Sequence, residues 1–367
     1  MIEQIADAFK GQDYRTAASL LKQLLKQEPD HPWGRLYLAR LYEETGKGDL
    51  AENIYRHLLR NAINSKIAAQ ARSGLQRLET REKQRLKQAI ARANSQPENT
   101  KSAVLIIEPV TGENRRQIAQ QFAKIVGLDP YTAQIQLPSR HWRLHRTGPL
   151  GELQVYGQEL REAGIPAFWA SLEEIENLRV FQVNYFQAIS PQPTVICQNE
   201  SGQVGTIGFD WSEVAQRVEG RLPIFESVVV LDARGRQQRQ EQIQDYVQVC
   251  DLHLPNRKCL LRLCNINYQF QDDLALTADE RQEVSNRLKW NNLIDLLNTQ
   301  LRETPVWSDF TSFGEMALQQ AKILVDPTEL LGGITSHIHI SRRSETDWDP
   351  AFQLYSALVF LKTLQHR

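Results

Sequence analysis

Apolar positions in the N-terminal quarter of the chain recur at a spacing of thirty-four residues: Ala8, Tyr14, Ala17, Leu21 and Leu24 are answered by Tyr42, Gly48, Ala51, Tyr55 and Leu58. Within each copy these residues mostly fall three or four apart, which places them on one face of a helix, and a repeat of this length marks stacked helical hairpins. Ala17 and Ala51 are small enough to let two helices approach closely, while the bulky residues four and seven positions later fill the space between hairpins. The pattern over Ile67 to Ala93 predicts one long helix closing the stack, since an array needs about three units to be stable.

Residues 94 to 101 are polar and contain Pro97, as a linker would. Beyond them Ala103 to Ile107 predicts a strand, and Ile118, Phe122 and Ile125 lie on one face of a helix over Asn114 to Val126 that Gly127 stops. Asp129 is placed as an N-cap, with Pro130 at the first position of a second helix ending at Leu137. His141 to Arg146 alternates basic and apolar residues as a half-buried strand does. Leu153, Tyr156 and Leu160 mark a third helix closed by Gly164, and Ile165 to Ala170 a last strand. From Arg179 the period changes to two, predicting strands over Phe181–Ile189, Thr194–Gln198, Val204–Phe209, Ser227–Leu231, Tyr246–Leu254 and Cys259–Tyr268. Thr277 and Glu280 form a capping box for a long helix through Val284, Leu288, Ile294, Leu297 and Leu301. A strand over Ser336 to Ile340 and a helix over Pro350 to Leu364 complete the pattern. The expected fold class is multi-domain α+β: helical repeats over 1–95, a small α/β module over 102–172, and a β-rich module over 179–367, an antiparallel barrel or sandwich with a capping helix.

In Leu38-Ala39, Tyr42, Gly46, Ala51, Tyr55 and Leu58 the second copy resembles the tetratricopeptide repeat (TPR) family. The first copy departs from the family at Ala8, where a large residue is usual. It keeps Pro29 after its second helix, where the second copy has Ile63. The resemblance implies that the first helix of each hairpin lines a concave groove for a polypeptide. The matching positions are Phe9 and Lys10 in the first copy and Leu36, Arg40 and Glu43 in the second; apolar anchors beside charges of both signs suit a partly hydrophobic peptide. The basic and asparagine set with which the chaperone-binding subgroup clamps a C-terminal carboxylate is missing. The stretch 102–170 resembles the C-terminal domain of the ribosomal stalk protein and the protease adaptor ClpS in Val126-Gly127-Leu128, Ala133 and Glu162-Ala163-Gly164. Asp129, Pro130 and Tyr131 stand where the stalk family carries its charged pattern, but both relatives bind proteins rather than turn over substrates. The strands and helix of 179–302 look like a pleckstrin-homology-like domain, with Gly208-Phe209-Asp210-Trp211-Ser212-Glu213-Val214 similar to a segment of its bacterial members.

The 367 residues carry 43 basic and 44 acidic side chains, a net charge of −1, so no bulk attraction to nucleic acid or anionic membrane is expected. Cys197, Cys250, Cys259 and Cys264 lack paired metal spacing and read as buried free thiols of a reducing compartment. No run of about eighteen apolar residues exists, and the first helix carries Glu3, Asp7 and Lys10, so a cytoplasmic protein without a membrane span or leader is expected.

Candidate chemistry is sparse. His337 and His339 would share one strand face about 7 Å apart, two ligands without a third unless Asp347 or Asp349 folds back. Arg140, His141, Arg143, His145 and Arg146 surround Trp142 and could grip phosphate, as could Arg342 and Arg343, although a solvated strand face explains them more simply. No nucleophile motif or phosphate loop appears; Gly332-Gly333 reads as a turn, and Glu173-Glu174 and Asp272-Asp273 as solvated charge. The sequence thus predicts a non-catalytic interaction scaffold or adaptor for a protein partner, with no cofactor and no metal. The alternatives are a nucleic-acid-binding protein using strand 140–146 and an enzyme whose residues are scattered along the chain.

Overall fold

The computed structural model describes residues 1–61, 64–231, 236–270, 285–323, 331–338 and 346–365. These fall into two compact units, Met1–Arg92 and Ala93–Arg367.

The first unit is helical: α1 (Ile2–Lys10), α2 (Tyr14–Gln27), α3 (Pro32–Glu44), α4 (Gly48–Arg60) and α5 (Ser65–Ala93), whose last residue reaches the second unit. Local chemistry sets the starts. The Asp13 carboxylate accepts from the Thr16 amide at 3.0 Å to open α2, and His31 Nδ1 accepts from the Gly34 amide at 3.1 Å to open α3, with Pro32 at its first position. Ala17, Leu21, Ala51 and Tyr55 of the thirty-four-residue pattern are all buried, joined by Leu36, Ala39, Ile67 and Ala71. Tyr55 explains a glycine inside α5. A Cβ at Gly74 would stand 2.4 Å from the phenol ring, so close approach outweighs the roughly 1 kcal/mol that glycine costs within a helix.

The second unit begins with β1 (Ser102–Ile107), α6 (Arg115–Val126), α7 (Pro130–Gln136), β2 (Arg143–Pro149), α8 (Leu150–Glu162), β3 (Ala167–Ser171) and α9 (Leu172–Glu176). Up to β3 this is the expected order, in an antiparallel sheet β2-β1-β3. Gly127 ends α6 in the left-handed conformation, φ 72°. Asp129 caps α7 by accepting from the Tyr131 and Thr132 amides, both at 3.0 Å. The apolar run in β1 lacks alternation because both faces are covered. Ala103, Leu105 and Ile107 pack among α6, α7 and α8, while Val104 and Ile106 join a core shared with the rest of the unit.

That remainder comprises β4 (Arg179–Ala188), β5 (Thr194–Gln198), β6 (Val204–Gly208), β7 (Gln216–Leu231), β8 (Gln237–Leu254), β9 (Cys259–Cys264), α10 (Asn286–Gln300), β10 (Val306–Trp307), α11 (Phe310–Ile323) and α12 (Trp348–Gln365). The strands form a mixed sheet in the order β10-β7-β8-β9-β4-β5-β6, with β10/β7 and β4/β9 parallel. The expected barrel gives way to an open sheet among the described residues: the end strands β10 and β6 pair only with β7 and β5. β7 and β8 run far longer than the fragments Ser227–Leu231 and Tyr246–Leu254 read from the sequence. Gly220 interrupts the pattern of β7 for a packing reason, since a Cβ there would stand 2.5 Å from the Phe352 ring.

Helices cover both faces of this sheet. α10 lays Trp290, Leu293 and Leu297 on it, followed by Leu301. The expected apolar stripe through Leu288 is thereby corrected, because Leu288 is half exposed; Thr277, Glu280 and Val284 lie outside the described residues. On the other face α12 is buried at every position from Ala351 to Phe360, as a helix between layers must be. The modules expected at 102–172 and 179–367 contribute to one core, where Trp142, Leu144 and Phe168 meet Val218, Leu260 and Leu358. Ser336–Ile338 carries no strand, and residues 339 and 340 lie outside the described residues. All four cysteines are buried free thiols. Among the described residues no helix is long and apolar enough to cross a membrane.

Candidate functional site

The first helices of the two hairpins bring Phe9 and Arg40 together and separate them from Leu36 and Glu43. The Phe9 ring lies 5.3 Å from that of Tyr37 and 5.9 Å from that of Tyr14. The Arg40 guanidinium stands over Phe9 at 5.4 Å and over Tyr37 at 5.9 Å. The three rings are half-buried and Arg40 is exposed, so the cluster is an aromatic shelf with a cation on it. Tyr37 is the member that sequence reasoning missed; its signal was an aromatic residue three positions before Arg40 on one helix. Lys10 is exposed and pairs with Asp7 at 3.2 Å, one turn back along α1.

Leu36 and Glu43, expected to line the groove, are buried. They stand seven residues apart on the face of α3 that meets α4 and α5, so Leu36 packs with Ala39, Ala51 and Tyr55. Glu43 accepts from Arg77 Nε at 2.8 Å, Arg77 Nη2 at 2.9 Å and the Tyr55 hydroxyl at 2.8 Å, with Arg81 donating to its backbone carbonyl at 3.2 Å. Burial pushes the Glu43 pKa up, but the hydrogen bonds from Arg77 and Tyr55 outweigh it and hold the carboxyl below its ordinary value. Glu43 is thus a structural anion that ties the second hairpin to the closing helix. A cleft of about 660 Å³ opens between α2 and α3, walled by Leu21, Leu25, Leu38 and Leu41 and edged by Lys22, Lys26 and Lys47.

The basic strand does not form one cationic surface. Residue 145 is bulged out of the β1 pairing, in which Leu105 meets Arg146 and Ile106 meets Leu144. His145 packs on Phe122 at 5.3 Å. Burial, then Arg146 and Arg143, push its pKa down to about 4. Burial also lowers that of Arg143. Arg146 stacks over Tyr156 at 4.3 Å and reaches Glu152 at 3.3 Å. His141 lies 3.4 Å from Asp309, without the alignment of a hydrogen bond. Arg140 alone among the five is exposed.

One arrangement resembles a catalytic triad and fails as one. Ser356 Oγ donates to Asp251 Oδ2 at 2.6 Å and lies 3.0 Å from His253 Nε2. Because its proton goes to the carboxylate, the serine accepts from His253 and has no base to activate it. All three side chains are sealed, and Asp251 is held by Arg262 through bonds of 2.8 and 2.6 Å. Burial pushes the His253 pKa down to about 4, against an upward pull from Asp251. No group of three or more metal-ligating side chains occurs among the described residues. His337 has φ 51° and lies 3.6 Å from Glu200; His339, Arg342, Arg343 and Asp272-Asp273 lie outside the described residues. Glu174 is spent in a capping box with Ser171, and Glu173 pairs with Lys101 at 2.5 Å.

Comparison with known proteins finds no match among curated proteins and none among solved structures. A family model does match: residues 8–78 fit the tetratricopeptide repeat, in keeping with their paired helices.

Proposed function

We propose that this protein is a non-catalytic scaffold or adaptor of the cytoplasm, an assembly or regulatory factor whose repeat unit captures a protein partner. Repeats of this family generally mediate protein–protein interaction. The observation that carries the reading is the half-exposed shelf of Phe9, Tyr37 and Arg40, contributed by the first helices of both hairpins. Aromatic surface beside an unburied guanidinium is the composition that anchors polypeptide ligands. The partner is expected to offer an apolar side chain with a nearby carboxylate.

The test is co-purification from the native host with the full chain and with Tyr37→Ala/Arg40→Glu. The double variant is expected to lose its specific partner, and Arg40→Glu alone, at an exposed position, to weaken capture at an unchanged thermal midpoint; Tyr37 packs against the core of the first hairpins, so its truncation also lowers stability. Equal recovery of the same partner would remove the shelf from the function. Leu36 is unsuitable for this test because its truncation would open a core cavity costing about 2–5 kcal/mol.

A further inference from the structure

A cavity of about 230 Å³ lies inside the second unit, lined in part by Arg140 and His141 of the basic stretch. It is smaller than drug-sized clefts of about 300–1,000 Å³. Its volume equals that of about eight waters at about 30 Å³ each, room for a molecule of amino-acid size. Its deep wall is aromatic. Trp142 and Trp307 have ring centroids 4.9 Å apart, Trp142 and Tyr355 5.8 Å, and Phe313 and Tyr355 5.1 Å. Tyr355 is 2% exposed, yet its hydroxyl makes no hydrogen bond with a described residue. Trp307 Nε1 likewise has no acceptor among the described residues.

Charge at the cavity divides into satisfied and available groups. Lys362 and Glu108 neutralise each other at 2.6 Å, and the Lys362 ammonium is already seated over Trp142 at 5.0 Å. At the open end stand Arg140, exposed and without an ion pair among the described residues, and Asp309, whose side chain is 56% exposed, lies 3.4 Å from His141 and acts by its charge on the Tyr355 phenol. One available cation and one available anion therefore flank the mouth, with rings and unmatched donors behind them.

We infer that this cavity binds a free α-amino acid with a large apolar or aromatic side chain, its carboxylate taken by Arg140, its ammonium by Asp309, and its side chain laid among Trp142, Trp307 and Phe313. A simple anion would face the Asp309 carboxylate and a simple cation the Arg140 guanidinium; a zwitterion satisfies both. The site is independent of partner capture by the repeats.

The experiment is calorimetric titration of the full chain with L-phenylalanine, beside 3-phenylpropionate, which lacks the ammonium, and phenethylamine, which lacks the carboxylate. Saturable binding of L-phenylalanine is expected, at least about tenfold tighter than either analogue. Arg140→Gln and Asp309→Asn, both at exposed positions, should each weaken it by about tenfold or more at an unchanged thermal midpoint. Absence of saturable heat at millimolar ligand, equal affinity for 3-phenylpropionate, or unchanged binding in both variants would each overturn the assignment.

Discussion

Each unit buries a carboxylate against arginine, and the two clamps differ in where the guanidinium ends. Glu43 is held by Arg77 and Arg81, whose side chains are 44% and 50% exposed. Asp251 and Arg262 are both at 0%, and Arg262 also donates to the Ser336 carbonyl at 2.6 Å and lies under the Phe352 ring at 5.2 Å. In the repeat unit a charge is buried by one partner only, so its loss lets two arginines turn to water. In the sheet unit both ions are dehydrated, so removing either strands the other. The first clamp links the second hairpin to the closing helix; the second fixes strands β8 and β9 against the buried stretch of α12.

The largest expected effect breaks the inner clamp. Asp251→Ala leaves Arg262 charged and Ser356 without its acceptor, and should lower stability by about 3–5 kcal/mol, read as a fall in the urea midpoint of the sheet unit. Next comes pH. His253 is neutral in the fold with a pKa of about 4, against about 6.5 when unfolded, so the unfolded chain takes up its proton first as pH falls. Stability should therefore drop between pH 6.5 and 4, by about 3 kcal/mol from this residue, and level off below. Urea midpoints across that range would show a flatter slope in His253→Gln. Glu43→Ala, which leaves the Tyr55 hydroxyl buried and unmatched, should cost about 2 kcal/mol. Arg81→Met should cost under about 1 kcal/mol, because a half-exposed ion pair is weak. Equal losses for Asp251→Ala and Glu43→Ala would erase the distinction between the clamps.

The outer clamp was partly legible. Arg77 stands thirty-four residues after Glu43, as Glu43 stands after Phe9, so a complementary pair sits at equivalent positions of successive units. The spacing announced the repeat and its buried Ala51 and Tyr55, but one period does not say which way a side chain turns, and Glu43 was placed in the groove. β1 to β3 were readable because Gly127, Asp129 and Gly164 punctuate them. β7 was not, since Gly220 and Pro223 break its alternation, and the glutamine-rich start of β8 is exposed on both faces and has no alternation to show. The amino-acid-sized cavity was beyond reach for another reason. Its residues come from segments near positions 108, 140, 307 and 355, and no local spacing connects them.

The burial of α12 on every side also fixes an order of events in time. Lys362 reaches Glu108 across 254 residues, and Ser356 reaches Asp251 across 105. Closing such long loops costs only slightly more entropy than closing short ones, but contacts so distant along the chain form late. Until that helix arrives, Val104, Leu260 and their neighbours on both sheets face water as an unfinished interior. Apolar surface left open in this way favours aggregation, so docking of the helix closes the interior against it.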